Sequence, residues 1–316
     1  MKEQTLPAVS SNQEIITRAD MEILLEGFIS AQDCSASSKR TYARQVRQYL
    51  VWLEETGRAQ RMSTLSRQDI LDYKQYLRED RDLKVYTVNG YLTAIKKLYA
   101  WLESEKIYPN IAGGVKGYRK PRGHRKDCLT ADQLQKALGI LDRSRLEGMR
   151  DYAIFNLMAR TGLRDIEVSR TLVGDMRTES GQAVLWVQGK GRELKDEYVV
   201  LTREAMDPIL DYLQTRGATS EEDPLFCSHA NRNRGEGLTP RSISRLIKRI
   251  LKQIGLGDPR HTAHSLRHTA ITLAILGGAQ PTQVQAMARH SDPRTTMGYY
   301  HNLNRIEEAA EKNIRF

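Results

Sequence analysis

The sequence predicts a mainly α protein with a small β-sheet, divided into two domains. Three observations carry that prediction. The chain has 316 residues, long for a single core. Apolar residues recur at helical spacing along most of it. The β signal is confined to QAVLWVQGKGRELKDEYVVLT, where two β-branched and aromatic runs flank a Gly-Lys-Gly turn.

Residues 1–19 read as a polar tail without a signal-like apolar core. No apolar run reaches membrane-spanning length, so a cytoplasmic location with no membrane partner is expected. Helical patterns begin at MEILLEGFIS. In SKRTYARQVRQYLVWLEETG, Tyr42, Val46, Tyr49 and Leu53 share one face, and Arg40, Arg44 and Arg47 fall opposite. Ser66 and Asp69 form a capping box that opens SRQDILDYKQYLRE. In TVNGYLTAIKKLYAWLES, Leu92, Ile95, Tyr99 and Leu102 line one face, with Lys96 and Lys97 off it. These four helices predict a compact helical domain over 20–112.

A basic segment, 113–127, follows. Its part KGYRKPRGHRK holds Lys116, Arg119, Lys120, Arg122, Arg125 and Lys126 and no acid. The chain carries 49 basic and 39 acidic residues, a net charge of +10. Residues 1–127 hold 22 basic and 16 acidic, so this one segment accounts for the whole excess there. A solvated linker is one reading. A linker lying along a polyanion fits the clustering better, with Arg40, Arg44, Arg47, Lys96 and Lys97 as further contacts.

The second domain is expected over 128–316. Thr130 and Gln133 cap a helix carrying Leu134, Leu138 and Leu141. RDYAIFNLMARTG reads as a buried helix ending at Gly162, and the hairpin follows. PRSISRLIKRILKQIG, HSLRHTAITLAILGG, PTQVQAMARH and a last helix from about Leu303 complete the chain.

Several chemistries are excluded. Cys34, Cys128 and Cys227 are odd in number and far apart, which suits neither a disulfide framework nor a zinc site. His264 and His268 have the i, i+4 spacing of zinc-binding histidines, but Ser265 stands where a zinc protease needs glutamate. Gly189–Gly191 lacks the glycine and hydroxyl of a phosphate loop, and no G-x-S-x-G occurs. No metal and no cofactor is expected.

What remains is an ordered set of donors and a phenol. Arg164 follows a Gly-Leu turn at a helix start, with Glu167 three residues on. Lys190 lies between glycines at the hairpin tip. His264 and Arg267 share a helix face, and His290 precedes the doublet Tyr299-Tyr300. Singly, each has a plain structural reading: an Arg164–Glu167 ion pair, a structural His264, a solvated Lys190. Together the residue types match attack on a phosphodiester. Arginine forks neutralise the non-bridging oxygens, a tyrosine forms a covalent intermediate, a lysine protonates the leaving oxygen, and histidines move a proton or hold the phosphate.

The order Arg, Lys, His-x-x-Arg, His, Tyr resembles the tyrosine recombinases of the phage-integrase family over essentially the full chain. TGLRDIE looks like the first arginine box, GKG like the hairpin lysine, HSLRH like the second arginine box, and RHSDPRTTMGYYH like the histidine-to-tyrosine box. LTAIKKLYAWLESEKIYPN looks like the end of the helical core-binding domain. The resemblance implies a SAM-like core-binding domain over 20–112 and a mostly helical catalytic domain. Arg164 and Arg267 would bind the scissile phosphate, and Lys190 would be the general acid. His264 would assist proton transfer and His290 would hydrogen-bond the phosphate. The family spacing selects Tyr299 as nucleophile, with Glu167 in support and Tyr300 as packing. Arg289 departs from the family, which usually has glycine before the last histidine. The hairpin is also longer, Val200 stands where proline is frequent, and Lys195 competes with Lys190 for the hairpin position.

The implied partner is double-stranded DNA with paired recombination half-sites, bound by a tetramer, with an accessory DNA-bending or directionality protein possible in the family. Affinity resting on phosphates would fall steeply with salt. The implied function is site-specific recombination through a 3′-phosphotyrosyl intermediate, for a mobile element or, alternatively, as an Xer-like resolvase of chromosome dimers. A type IB topoisomerase and a catalytically idle DNA-binding regulator are the alternatives of other classes. The segment after Tyr299, LNRIEEAAEKNIRF, would dock on a neighbouring protomer or cap its own domain.

Overall fold

The computed structural model describes residues 18–120, 127–189, 191–217, 220–307 and 309–314. Lys190, Arg122, Arg125 and Lys126 therefore lie outside the described residues. The chain divides into two compact units, Met1–Arg122 and Gly123–Phe316.

In the first unit, α1 (Arg18–Ser30), α2 (Ala36–Glu55), α3 (Arg67–Glu79) and α4 (Val85–Ser104) pack through their apolar faces. Val46, Tyr49, Leu53, Leu92, Ile95, Tyr99 and Leu102 are buried, as their spacing predicts. Tyr49, Trp52 and Tyr73 form an aromatic centre, and the Tyr49 and Tyr99 hydroxyls bond at 2.9 Å. The Ser66–Asp69 capping box is present. Asp69 also holds Arg58 at 3.0 Å and Arg61, so the cap ties the turn before α3 to the helix. The start of the expected linker is packed: Val115 is fully buried, and Asn89 pairs with both backbone groups of Tyr118 at 2.8 Å.

The second unit is built around α6 (Leu146–Thr161), whose residues from Ala153 to Ala159 are all buried. Around it lie α5 (Ala131–Gly139), α7 (Asp165–Ser169), α8 (Arg203–Arg216), α9 (Pro240–Gln253) and α10 (Ala263–Leu276). The Thr130–Gln133 box caps α5 as expected. The hairpin carries an additional strand. β1 (Met176–Glu179), β2 (Gln182–Val187) and β3 (Glu197–Val200) form one antiparallel sheet in that order, with Met176 opposite Leu185 and Val184 opposite Val200. The β2–β3 connection, described at 188–189 and 191–196, is longer than a tight turn. It is closed by the Gln188 amide, which donates to the carbonyls of Arg192 and Glu193 at 2.8 and 2.9 Å.

The chain ends with α11 (Pro281–Ala288) and α12 (Pro293–Glu307). The last helix thus starts about one decade of residues before Leu303, at a proline whose fixed φ suits a first turn. A small separate core of Ile271, Val284, Ala288 and Tyr299 joins α10, α11 and α12. It fixes where Tyr299 points. No helix among the described residues is long and apolar enough to cross a membrane.

Candidate active site

Four helix ends converge on one cleft. Gly162 closes α6 in the left-handed region, φ 65°, and turns the chain into Leu163 and Arg164. Arg164 caps α7, and Glu167 folds back on it. Oε1 of Glu167 takes Nη1 of Arg164 at 2.6 Å, and Oε2 takes its backbone N–H at 2.8 Å. The pair expected from the spacing is real, yet it lies in the cleft rather than on open surface, because Glu167 is wholly buried.

Arg267 projects from α10 and is 2% exposed. It donates to the Gly162 carbonyl at 2.8 Å and to the Ala288 carbonyl, so it bolts the ends of α6 and α11 together. Arg164, His264 and Arg267 line the same cleft. His264 is exposed at the first turn of α10, its ring edge-on to His268 with centroids 4.7 Å apart. His290 follows α11. Its Nδ1 pairs with the Thr296 hydroxyl at 2.9 Å, and its ring stacks beside Tyr299 at 6.3 Å.

Tyr299 is 5% exposed, and its hydroxyl is hydrogen-bonded to Nδ1 of His268. Tyr300, the other member of the doublet, turns away and donates to the Ala279 carbonyl between α10 and α11. The structure therefore gathers Arg164, Glu167, His264, Arg267, His290 and Tyr299. Lys190 falls outside the described residues. Its competitor Lys195 is engaged elsewhere, with Nζ 2.5 Å from the buried carboxylate of Asp175.

Two residues here escaped the sequence reading. His268 sits in HSLRH beside Arg267, but its partner Tyr299 is 31 residues away in sequence. Arg289 registered only as a departure from a family pattern. It is buried and places Nη2 2.8 Å from Glu167. Thus three guanidinium groups surround a single carboxylate. Burial, then Arg164 and Arg289, press Arg267 below the usual arginine range, to about 9. It stays protonated at neutral pH, and the cluster keeps a surplus of positive charge that an anion would relieve. Burial, then Arg267, pushes His290 down to about 4, which leaves it neutral. Burial pushes the Tyr299 phenol up to about 12 against the pull of Arg267 and Arg164, so it holds its proton.

The basic residues of the first unit are mixed in role. Arg40, Arg44, Arg119 and Lys120 are exposed, and Lys96 is half-buried. Arg47 forms a two-point pair with Glu22 at 3.1 and 3.2 Å. Lys97 lies over the Tyr42 ring at 5.7 Å.

The cleft thus sets a surplus of cations beside a buried phenol on a mostly helical frame. The phage integrase family matches residues 127–305, and the phage integrase N-terminal SAM-like domain matches 24–108. A tyrosine recombinase of Synechococcus elongatus is 30% identical over 274 residues, 84% of either chain. XerD of Listeria monocytogenes is 25% identical over 287 residues, 89% of this chain and 93% of its own. The fold resembles XerH bound to its difH substrate, with TM-score 0.73 at 18% identity, covering 97% of this chain and 99% of that one. It also resembles the Tn1549 transposon integrase in complex with transposon right-end DNA, with TM-score 0.69 at 15% identity over 92% and 99% of the two chains. The chain belongs to the phage integrase family, and it is a site-specific tyrosine recombinase that cleaves and rejoins DNA.

Proposed function

We propose that the Tyr299 phenol passes its proton to the hydrogen-bonded His268 imidazole as its oxygen attacks the scissile phosphorus of a DNA strand. The P–O5′ bond breaks, the 3′ end stays on the tyrosine, and the 5′ oxygen leaves as a hydroxyl. Arg164 and Arg267 neutralise the non-bridging oxygens as charge grows on them. Neutral His290, its Nδ1 turned to Thr296, offers Nε2–H to the same phosphate. His264 assists proton transfer, and Lys190 gives its proton to the departing oxygen. Attack by a 5′ hydroxyl of the partner strand reverses these steps and reseals the backbone. The phosphotyrosyl bond conserves the energy, so no nucleotide is consumed. The observation that carries this reading is the surplus of cations beside a buried phenol already hydrogen-bonded to an imidazole.

Around this chemistry we place four protomers on two paired half-sites, each gripping the duplex with both units and running residues 116–126 along its backbone. The segment after Tyr299 then docks on a neighbour, and an accessory bending or directionality protein selects the outcome. Integration of a mobile element is the use we favour. Resolution of chromosome dimers is the second reading, favoured by the match to XerD along 93% of that protein's length.

The test is covalent capture. Purified protein is mixed with random-sequence duplex DNA in EDTA and quenched with detergent. We expect protein on 3′ ends and free 5′ hydroxyls that a kinase labels without prior phosphatase. Protein on 5′ ends would contradict the mechanism. Salt-sensitive binding without any adduct would favour an idle regulator, and relaxation of arbitrary plasmid by single protomers a type IB topoisomerase.

A further inference from the structure

Arg289 has three features that a surface arginine does not need. It closes α11 with φ 54° and ψ 49°, the left-handed region that favours glycine. Its side chain is 2% exposed. Its Nε is buried and has no hydrogen-bond partner among the described residues. Each feature opposes folding, and strained or unsatisfied groups of this kind collect at functional sites.

What Arg289 meets is Glu167, at 2.8 Å from Nη2 to Oε2. The same carboxylate holds Arg164 by its side chain and its backbone N–H. A carboxylate bound to Arg164 alone would cancel that charge. Shared between two guanidiniums, it leaves the group positive and is pinned from two sides.

We propose that Arg289 is a positioning residue for strand cleavage: by binding Glu167 it fixes the orientation of Arg164 and preserves positive charge at the cleft. The proposal rests on the reading that this cleft receives the scissile phosphate. Arg289 acts through Glu167 and Arg164.

The role has a pH signature. Glu167 faces Arg164 at the start of α7, Arg289 at the end of α11 and Arg267 on α10, while Arg289 also faces Glu197 on β3. Burial pushes the Glu167 carboxyl up, and Arg289 followed by Arg164 pulls it below the usual glutamate range. Without Arg289 the carboxyl rises, and its protonation enters the acid limb of cleavage at higher pH.

Arg289→Gly relaxes the backbone and removes the unpaired Nε, and Arg164 remains to pair with the buried Glu167. Arg289→Lys returns the charge without the fork. Both full-length variants are given a nicked suicide duplex bearing a site captured by the unmodified protein from a random-sequence library. In Arg289→Gly we expect single-turnover adduct formation to fall about 10–100-fold. The acid limb should move to higher pH, and Arg289→Lys should recover part of the rate. Cleavage by Arg289→Gly at the parent rate and pH profile would overturn the proposal. So would a slow variant with an unmoved acid limb and no recovery by lysine, which is the behaviour of a packing residue. No adduct from the unmodified protein would take the proposal down with the reading of the cleft beneath it.

Discussion

At the scale of single residues, the cleft is governed by what burial does to each titrating group. His290 is held neutral by burial and by Arg267, Arg164 and Arg289, its pKa brought down to about 4. In the unfolded chain it returns to about 6.5. The folded state therefore refuses a proton that the unfolded chain accepts. Its contribution to stability is complete above about pH 6.5 and is lost as pH falls toward about 4. Thermal unfolding between pH 7 and 4 should show a shallower loss in His290→Asn than in the unmodified protein. Equal slopes would contradict this. The residue types of the cleft were legible in the sequence because each stands in a short motif. The Tyr299–His268 bond and the Arg289–Glu167 pair were not, since each joins residues far apart along the chain.

At the scale of elements, Glu167 is the joint. It ties α7 to the end of α11 and lies at 0% exposure between two cations. Glu167→Ala leaves Arg289 buried and unpaired, which costs about 3–5 kcal/mol and appears as a lower urea midpoint at unchanged slope. A loss below about 1 kcal/mol would mean that the guanidiniums find water as easily as an exposed pair does. Helices with an apolar face and a capping box, such as α3 and α5, were readable residue by residue. β1 was not: its sequence MRTE has no strand pattern of its own and is extended because it pairs with β2. The start of α12 was hidden by a polar first turn, PRTT, and only Pro293 marked it. α8 went unread because its Pro208 sits inside the helix, although Ala205, Ile209 and Tyr212 are buried at helical spacing.

At the scale of the whole molecule, a net charge of +10 fits a protein that binds a polyanion. The sequence located the charge but not its use. Arg47 is partly engaged by Glu22, and part of the basic segment is packed on α4 through Tyr118. The two tyrosines have separate tasks: Tyr299 faces the cations, and Tyr300 closes α12 onto Ala279. The most direct measurement is therefore covalent DNA capture by the unmodified protein, Tyr299→Phe and Tyr300→Phe, side by side. We predict adducts with the unmodified protein and Tyr300→Phe and none with Tyr299→Phe. Adducts that survive in Tyr299→Phe and vanish in Tyr300→Phe would contradict the account at its centre.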